Sequence, residues 1–249
     1  MINYQIPTLI ILPHLDDEFA LVPVIKKITS YSSDNLSFIY CAERNNVSTT
    51  KVKRREENIK ALGLLACKNE HIIYLNDYFR VDDLQLVRSA SDIYSFTKKF
   101  INKNNIKQII TLNLEGGHPD HDSLALIIEK IAYKDKNLEA FYVPAYNNRV
   151  NSIFPVSVFR PLKKQNIFFK KEVYSLFIWM DMLGLAFIYK SERSAFLKLL
   201  PFIIFKSFLS RSIYVSQKID IKTIDWDSSL TLSRYSVKKN DIIKKIEDL

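Results

Sequence analysis

Three of the four histidines in this chain fall in two short acid-rich segments, PHLDDE (13–18) and GGHPDHD (116–122). His14 and Asp17 are three residues apart on a tight turn that enters a helix, so both side chains can reach one point. His121 can approach that point from the second segment. Two imidazoles and one carboxylate, with a position left for water, make the ligand set of a catalytic zinc site; iron(II) and other divalent metals such as cobalt accept the same donors. A bound cation offsets the repulsion among the carboxylates and lowers the pKa of a water. Asp16, beside a ligand but pointing elsewhere, is then the candidate base for that water. His118 is the candidate to stabilise an oxyanion or to protonate a leaving amine, and Asp120 the candidate to hold the His118 ring in one tautomer. Pro119 and Gly116–Gly117 are expected to set the loop. The competing view of each segment is structural. Acidic residues favour helix starts by capping and dipole effects, which is a sufficient role for Glu18 and, as an N-cap, for Asp122.

The elements between these segments must bring them together. TLIIL (8–12), LSFIY (36–40), HIIYL (71–75), IKQIITLN (106–113) and LEAFYV (138–143) read as strands. They alternate with helical patterns over 19–29, 51–66, 86–103 and 122–134, with Pro23 tolerated only in the first turn of its helix. Such alternation implies parallel pairing through right-handed crossovers, hence an α/β fold: a Rossmann-like, doubly wound, mostly parallel sheet. With strand order 3-2-1-4-5, the first and fourth strands flank the reversal, and ligands bind in the crevice outside their C-terminal ends. Both histidine segments follow those two strands. The carboxylates therefore belong at the rim of the core rather than inside it.

Beyond residue 143 the pattern loosens. Residues 173–190 and 194–212 are strongly apolar and aromatic, but Asp181 interrupts the first, and Pro201 and Lys206 the second; both are read as helices packing on the α/β core, with a short strand in 212–219. The chain is expected to be a single domain over 1–249, with 1–143 as core and 144–249 as an irregular, helical C-terminal extension. The net charge of +9 is uneven: 19 Lys and Arg against 18 Asp and Glu up to residue 150, and 17 against 9 beyond it. That basic, aromatic third suits peripheral contact with an anionic membrane or a phosphate-bearing substrate. No nucleic-acid-binding pattern is present. Cys41 and Cys67 form no framework and no CxxC site, and the N-terminus lacks a basic leader. A cytoplasmic protein is expected, peripheral at the inner face of the membrane if that surface is used.

These residues carry a family resemblance. PHLDDE resembles the (A/P)HPDDE motif of the PIG-L (LmbE-like) zinc-dependent N-acetylglucosaminyl deacetylases, and HPDH is similar to that family's second motif. RREENIKALGLLA resembles its R-x-x-E-x-x-x-A-x-x-x-L-G helix, with Arg54, Glu57, Ala61 and Leu65–Ala66 in register. YKSERSAF (189–196) is similar to a late Y-x-S-Q segment. The resemblance is close over residues 8–143 and loose beyond. It implies zinc on His14, Asp17 and His121, Asp16 as general base, and His118 as the electrophilic or acid partner supported by Asp120. It also implies Arg54 facing the sugar or its phosphate. Leu15 replaces a proline, Ala66 a glycine and Glu192 a glutamine, while YCAERNN (40–46) keeps only Glu43 of the family's T-x-G-E loop.

The expected activity is metal-dependent removal of acetate from an N-acetylated amino sugar, with a lipid- or nucleotide-diphosphate carrier of surface-glycan synthesis as the finer reading. Hydrolysis of another small N-acyl amide or a sugar–thiol precursor is the alternative among enzymes. A non-catalytic sugar-binding protein on the same fold is the alternative of another class.

Overall fold

A computed structural model describes residues 1–43, 48–114, 118–148, 156–159, 161, 168–209, 211–219 and 239–249. Gly116–Gly117 and residues 44–46 of the 40–46 loop lie outside them. Its centre is a five-stranded parallel sheet of β1 (Thr8–Leu12), β2 (Leu36–Tyr40), β3 (Ile72–Tyr74), β4 (Gln108–Leu112) and β5 (Glu139–Val143), in the order β3-β2-β1-β4-β5. Thr8 pairs with Leu36 on one side and Gln108 on the other. The chain thus reverses direction of winding at β1/β4, as the alternation predicts.

Every residue of β1 is buried, because a parallel sheet is covered on both faces. Ile10 and Leu12 point into one core, with α1 (Val22–Thr29), α2 (Ser48–Leu64) and α5 (Leu176–Ile188). Leu9 and Ile11 point into the other, with α3 (Ala90–Lys103), α4 (Pro119–Lys134) and α7 (Lys239–Glu247). Pro23 lies in the first turn of α1, preceded by a 3₁₀ turn over Asp17–Leu21.

Helix α4 begins three residues earlier than its apolar pattern suggests. His118 is its N-cap, Pro119 occupies the first turn, and Asp120, His121 and Asp122 are all buried. Proline is pre-organised for that position, and the two aspartates favour the positive end of the helix. Asp122 is therefore inside the helix, not its cap.

Helix α2 is closed two residues past its end by Ala66, which takes φ 61°, with Cys67 N–H donating to Leu62 O at 2.9 Å. This is the left-handed stop that glycine usually supplies. A Cβ is strained there by roughly 1–2 kcal/mol. Ala66→Gly is expected to stabilise the protein by about 1 kcal/mol, read as a raised urea midpoint.

The C-terminal third holds helices α5 and α6 (Arg193–Leu209) and strand β9 (Ser212–Val215) where the hydropathy places them. It also holds pieces too short for periodicity to show: β6 (Tyr146–Asn148) antiparallel to β7 (Val156–Val158), and β8 (Lys170–Val173) antiparallel to β9. Helix α7 is a further addition. Ser216 bridges to Tyr142 of β5, so the end of this segment is tied to the sheet edge.

A buried polar network joins the third to the core. Glu18, fully buried, accepts from the hydroxyls of Tyr40, at 3.0 Å, and Tyr189. Asn58 donates to the Tyr189 hydroxyl at 3.0 Å and accepts from Tyr74 at 2.9 Å. Glu18 also accepts from the Asp16 N–H at 3.1 Å. It therefore does more than cap a helix: it anchors the turn that carries Asp16 and Asp17. Tyr189→Phe strands a buried carboxylate oxygen and is expected to cost about 1–3 kcal/mol in chemical unfolding.

Candidate metal centre and active site

The site is built where β1 and β4 end. After Leu12 the chain turns through Pro13. The His14 N–H donates to Asp17 Oδ2 at 2.9 Å, closing the loop on itself. Asp16 takes φ 122°, a strained conformation that aspartate tolerates better than most residues. With that backbone twist Asp16 and Asp17 find different partners: Asp16 meets Arg54, and Asp17 meets His14 and His121.

Across the crevice, the first turn of α4 presents His118 and His121. The ring centroids are 5.0 Å apart for His14 and His118, 5.5 Å for His14 and His121, and 4.4 Å for His118 and His121. Asp17 lies between two of them: its Oδ2 is 3.3 Å from His14 Nδ1 and its Oδ1 3.5 Å from His121 Nε2. Metal bonds of 2.0–2.2 Å at tetrahedral angles place donor atoms about 3.4 Å apart. Each Asp17 oxygen thus lies near that spacing from one imidazole, and the carboxylate bridges the two rings. The donor atoms of His14, His118 and His121 also lie within 4.8 Å of one another, so His118 is closer to the ligand group than its expected separate role requires.

The electrostatics favour the same centre. Burial works to raise the Asp17 carboxyl, but the His121 and His14 imidazoles outweigh it and hold it down to about 2. Burial also works against charge on His14; its hydrogen bonds with Asp120, Asp17 and Asp83 prevail and raise its pKa well above the usual histidine value. Burial, then His121 and His14, push His118 well below that value, so its ring stays neutral. Burial and then the Asp17 charge drive Asp16 up to about 8, with Arg54 acting the other way.

Two expected roles are redrawn by the contacts. Asp120, 1% exposed, accepts from the backbone N–H groups of Leu84 at 2.7 Å and Leu86 at 3.0 Å, and its Oδ2 lies 3.0 Å from His14 Nε2. Its carboxylate meets the His14 ring in the turn after β1, and backbone N–H groups from the stretch between β3 and α3 hold it there. With Nδ1 of His14 toward Asp17 and Nε2 toward Asp120, the carboxylate sits where it can set the ring's tautomer. Asp120→Asn is expected to weaken metal binding about ten- to a hundredfold, read by chelator competition.

Arg54 is the second. It is 6% exposed, and its guanidinium donates to Leu15 O at 2.8 Å, to Asp16 Oδ1 at 3.1 Å and to Glu192. Its donors are turned toward two carboxylates and a backbone carbonyl, and the Asp16 carboxylate is one of the groups it holds. Ser191 likewise bonds Glu57 through its N–H and hydroxyl, so Tyr189, Ser191 and Glu192 together dock the late segment on α2 and the site.

Asp83 was not anticipated. It lies 3.2 Å from His14 Nε2 and shares a potential metal-holding group with His14 and Asp120. It comes from the loop after β3, where two adjacent aspartates and no histidine mark the sequence. Helices and strands give such a loop no period to read.

Known structures share this architecture. A teicoplanin-bound deacetylase of teicoplanin biosynthesis superposes with TM-score 0.59 at 13% identity, covering 84% of this chain and 96% of that one. The N,N'-diacetylchitobiose deacetylase of Pyrococcus horikoshii, solved with an inhibitor, gives 0.51 at 14% identity, covering 84% and 82%. A zinc-inhibited form of the teicoplanin deacetylase gives 0.52 at 14%, covering 74% and 84%. At these identities the likeness speaks for the fold. A search of curated proteins returned no match. Residues 9–132, which hold both histidine segments and the helix between them, match the family model PIG-L, GlcNAc-PI de-N-acetylase, and the chain belongs to that family.

Proposed function

We propose that this protein hydrolyses the acetamide of an N-acetylated amino sugar, using a divalent ion held by His14, Asp17 and His121. The observation that supports this reading is the convergence of His14, His118 and His121, whose donor atoms lie within 4.8 Å of one another, with the Asp17 carboxylate bridging His14 at 3.3 Å and His121 at 3.5 Å. Zinc is the ion proposed first, and iron(II) or another divalent metal suits the same donors.

When bound, the ion supplies Lewis acidity, polarising the acetyl carbonyl and easing deprotonation of water. Asp16 accepts the water proton on its carboxylate, steadied by Arg54. His118, neutral and facing the crevice, offers an N–H to the amide oxygen as negative charge gathers there. The deprotonated water oxygen bonds to the acetyl carbon, and as the C–N bond breaks the proton held by Asp16 passes to the leaving nitrogen. The products are acetate and the free amino sugar. Asp120 fixes the His14 ring through Nε2, so the turn after β1 keeps its geometry.

For the substrate we propose a sugar linked to a lipid- or nucleotide-diphosphate carrier. The surplus of cations beyond residue 150 supports an anionic carrier. The test is acetate release, with metal analysis of the same sample, from free N-acetylglucosamine, a nucleotide-diphosphate-linked N-acetylhexosamine and a polyprenyl-diphosphate-linked one. Release from a carrier-linked sugar in preference to the free sugar is expected. Metal-loaded protein that frees acetate from none of them overturns the reading, and preference for the free sugar overturns the carrier.

A further inference from the structure

Helix α5 has the sequence LFIWMDMLGLAFI. Its one charge, Asp181, is paired with Lys26 at 3.3 Å. A helix that is apolar all round needs cover on every side. Only one side has it: Trp179, Met182 and Leu185 are buried against the core. On the opposite side Phe177 is 80% exposed, Met180 55% and Phe187 75%, and Leu197 of the adjoining α6 is 56% exposed. Spacings of three and seven residues put the three α5 side chains on one stripe.

The charge of the stretch 171–198, which carries the stripe, points to what covers it. Lys171, Lys190, Arg193 and Lys198 are exposed. None of these four is ion-paired among the described residues. The acidic residues of the same stretch are all engaged: Glu172 with the hydroxyls of Tyr4 and Tyr174, Asp181 with Lys26, and Glu192 with Arg54. The uncompensated charge is positive. A second copy meeting this face across a two-fold axis would set cations against cations. An anionic bilayer answers both features, because aromatic and methionine side chains enter the acyl boundary while ammonium and guanidinium groups meet phosphates. No helix among the described residues is long and apolar enough to cross a membrane, so the contact is one of lying on the surface.

We propose that the α5–α6 face docks on an anionic phospholipid surface. The same segment carries Tyr189 and Glu192, which bond to Glu18 and Arg54 beneath the site. Docking therefore holds the crevice at a set distance from the bilayer. The proposal is independent of the reaction assigned above.

The experiment is sedimentation of the full chain with vesicles of phosphatidylcholine alone and of an equal mixture of phosphatidylcholine and phosphatidylglycerol. Pelleting with the mixture only, weakening as salt is raised, is expected. Two double variants, Phe177→Asp with Phe187→Asp and Lys190→Glu with Lys198→Glu, should each lower vesicle affinity by about tenfold or more. The second removes no apolar packing, so it keeps the test valid if the first folds poorly. Absence of pelleting with both vesicles, equal pelleting with both, or variants that pellet like the parent overturns the proposal. So does a concentration-dependent dimer that the Phe177/Phe187 variant abolishes, since a second copy would then be the cover.

Discussion

Asp16→Asn is expected to cut acetate release by about a thousandfold while leaving metal content unchanged. The substitution keeps the size of the side chain and an oxygen for Arg54, which lies 3.1 Å from Asp16 Oδ1. It removes only the capacity to accept a proton. Asp16 meets Arg54 whereas Asp17 meets the imidazoles, so the ion should stay. The two readouts separate the candidate base from a ligand: turnover from an acetate assay, metal per chain from elemental analysis. A variant that keeps more than a tenth of the parent rate shows that another group takes the proton. A variant that loses its metal shows that Asp16 is a ligand.

His121→Ala should be as severe by a different route. His121 is 1% exposed and comes from the first turn of α4, so no water-borne donor readily replaces it. Affinity for the ion is expected to fall by more than about a hundredfold, beyond the effect of losing a supporting contact, and acetate release should fall to background. The parent protein offers a check that needs no substrate. An ion that binds only the folded chain stabilises it by mass action, so adding zinc to chelator-stripped protein should raise the melting temperature, and His121→Ala should abolish the rise. A melting temperature indifferent to zinc, iron(II) and cobalt alike would remove the metal from the mechanism.

How much of this could be read from residue order depends on what kind of signal each feature leaves. The parallel sheet is plain because its strands are apolar throughout and its helices alternate with them at regular spacing; strand order and the β1/β4 reversal follow. His14, Asp17 and His121 are legible because histidine is scarce here and its neighbours are acidic. Asp83 is not, since an aspartate in a loop has no pattern and its nearness to His14 depends on how the chain passes β3. Asp120 and Arg54 were legible as site residues but not in their partners. Asp120 is set by the early start of α4, which apolar periodicity cannot show because Pro119 and the polar residues after it begin the helix. Arg54 is set by Glu192, 138 positions away, and only folding brings that carboxylate to it. Glu18 shows the same limit: beside two other acids at a helix start it reads as a cap, whereas the tyrosines that surround it come from β2 and from the stretch after α5.

The Glu18–Tyr189 contact bears on any attempt to alter what this protein recognises. Recombining the segment beyond β5 with that of a relative looks like a swap of a specificity module. Position 189 is also a plug beneath the turn after β1, and a transplant without a hydroxyl there would take from one Glu18 oxygen its tyrosine donor. Grafts should therefore be cut downstream of Glu192, so that Tyr189, Ser191 and Glu192 stay with the groups they bond.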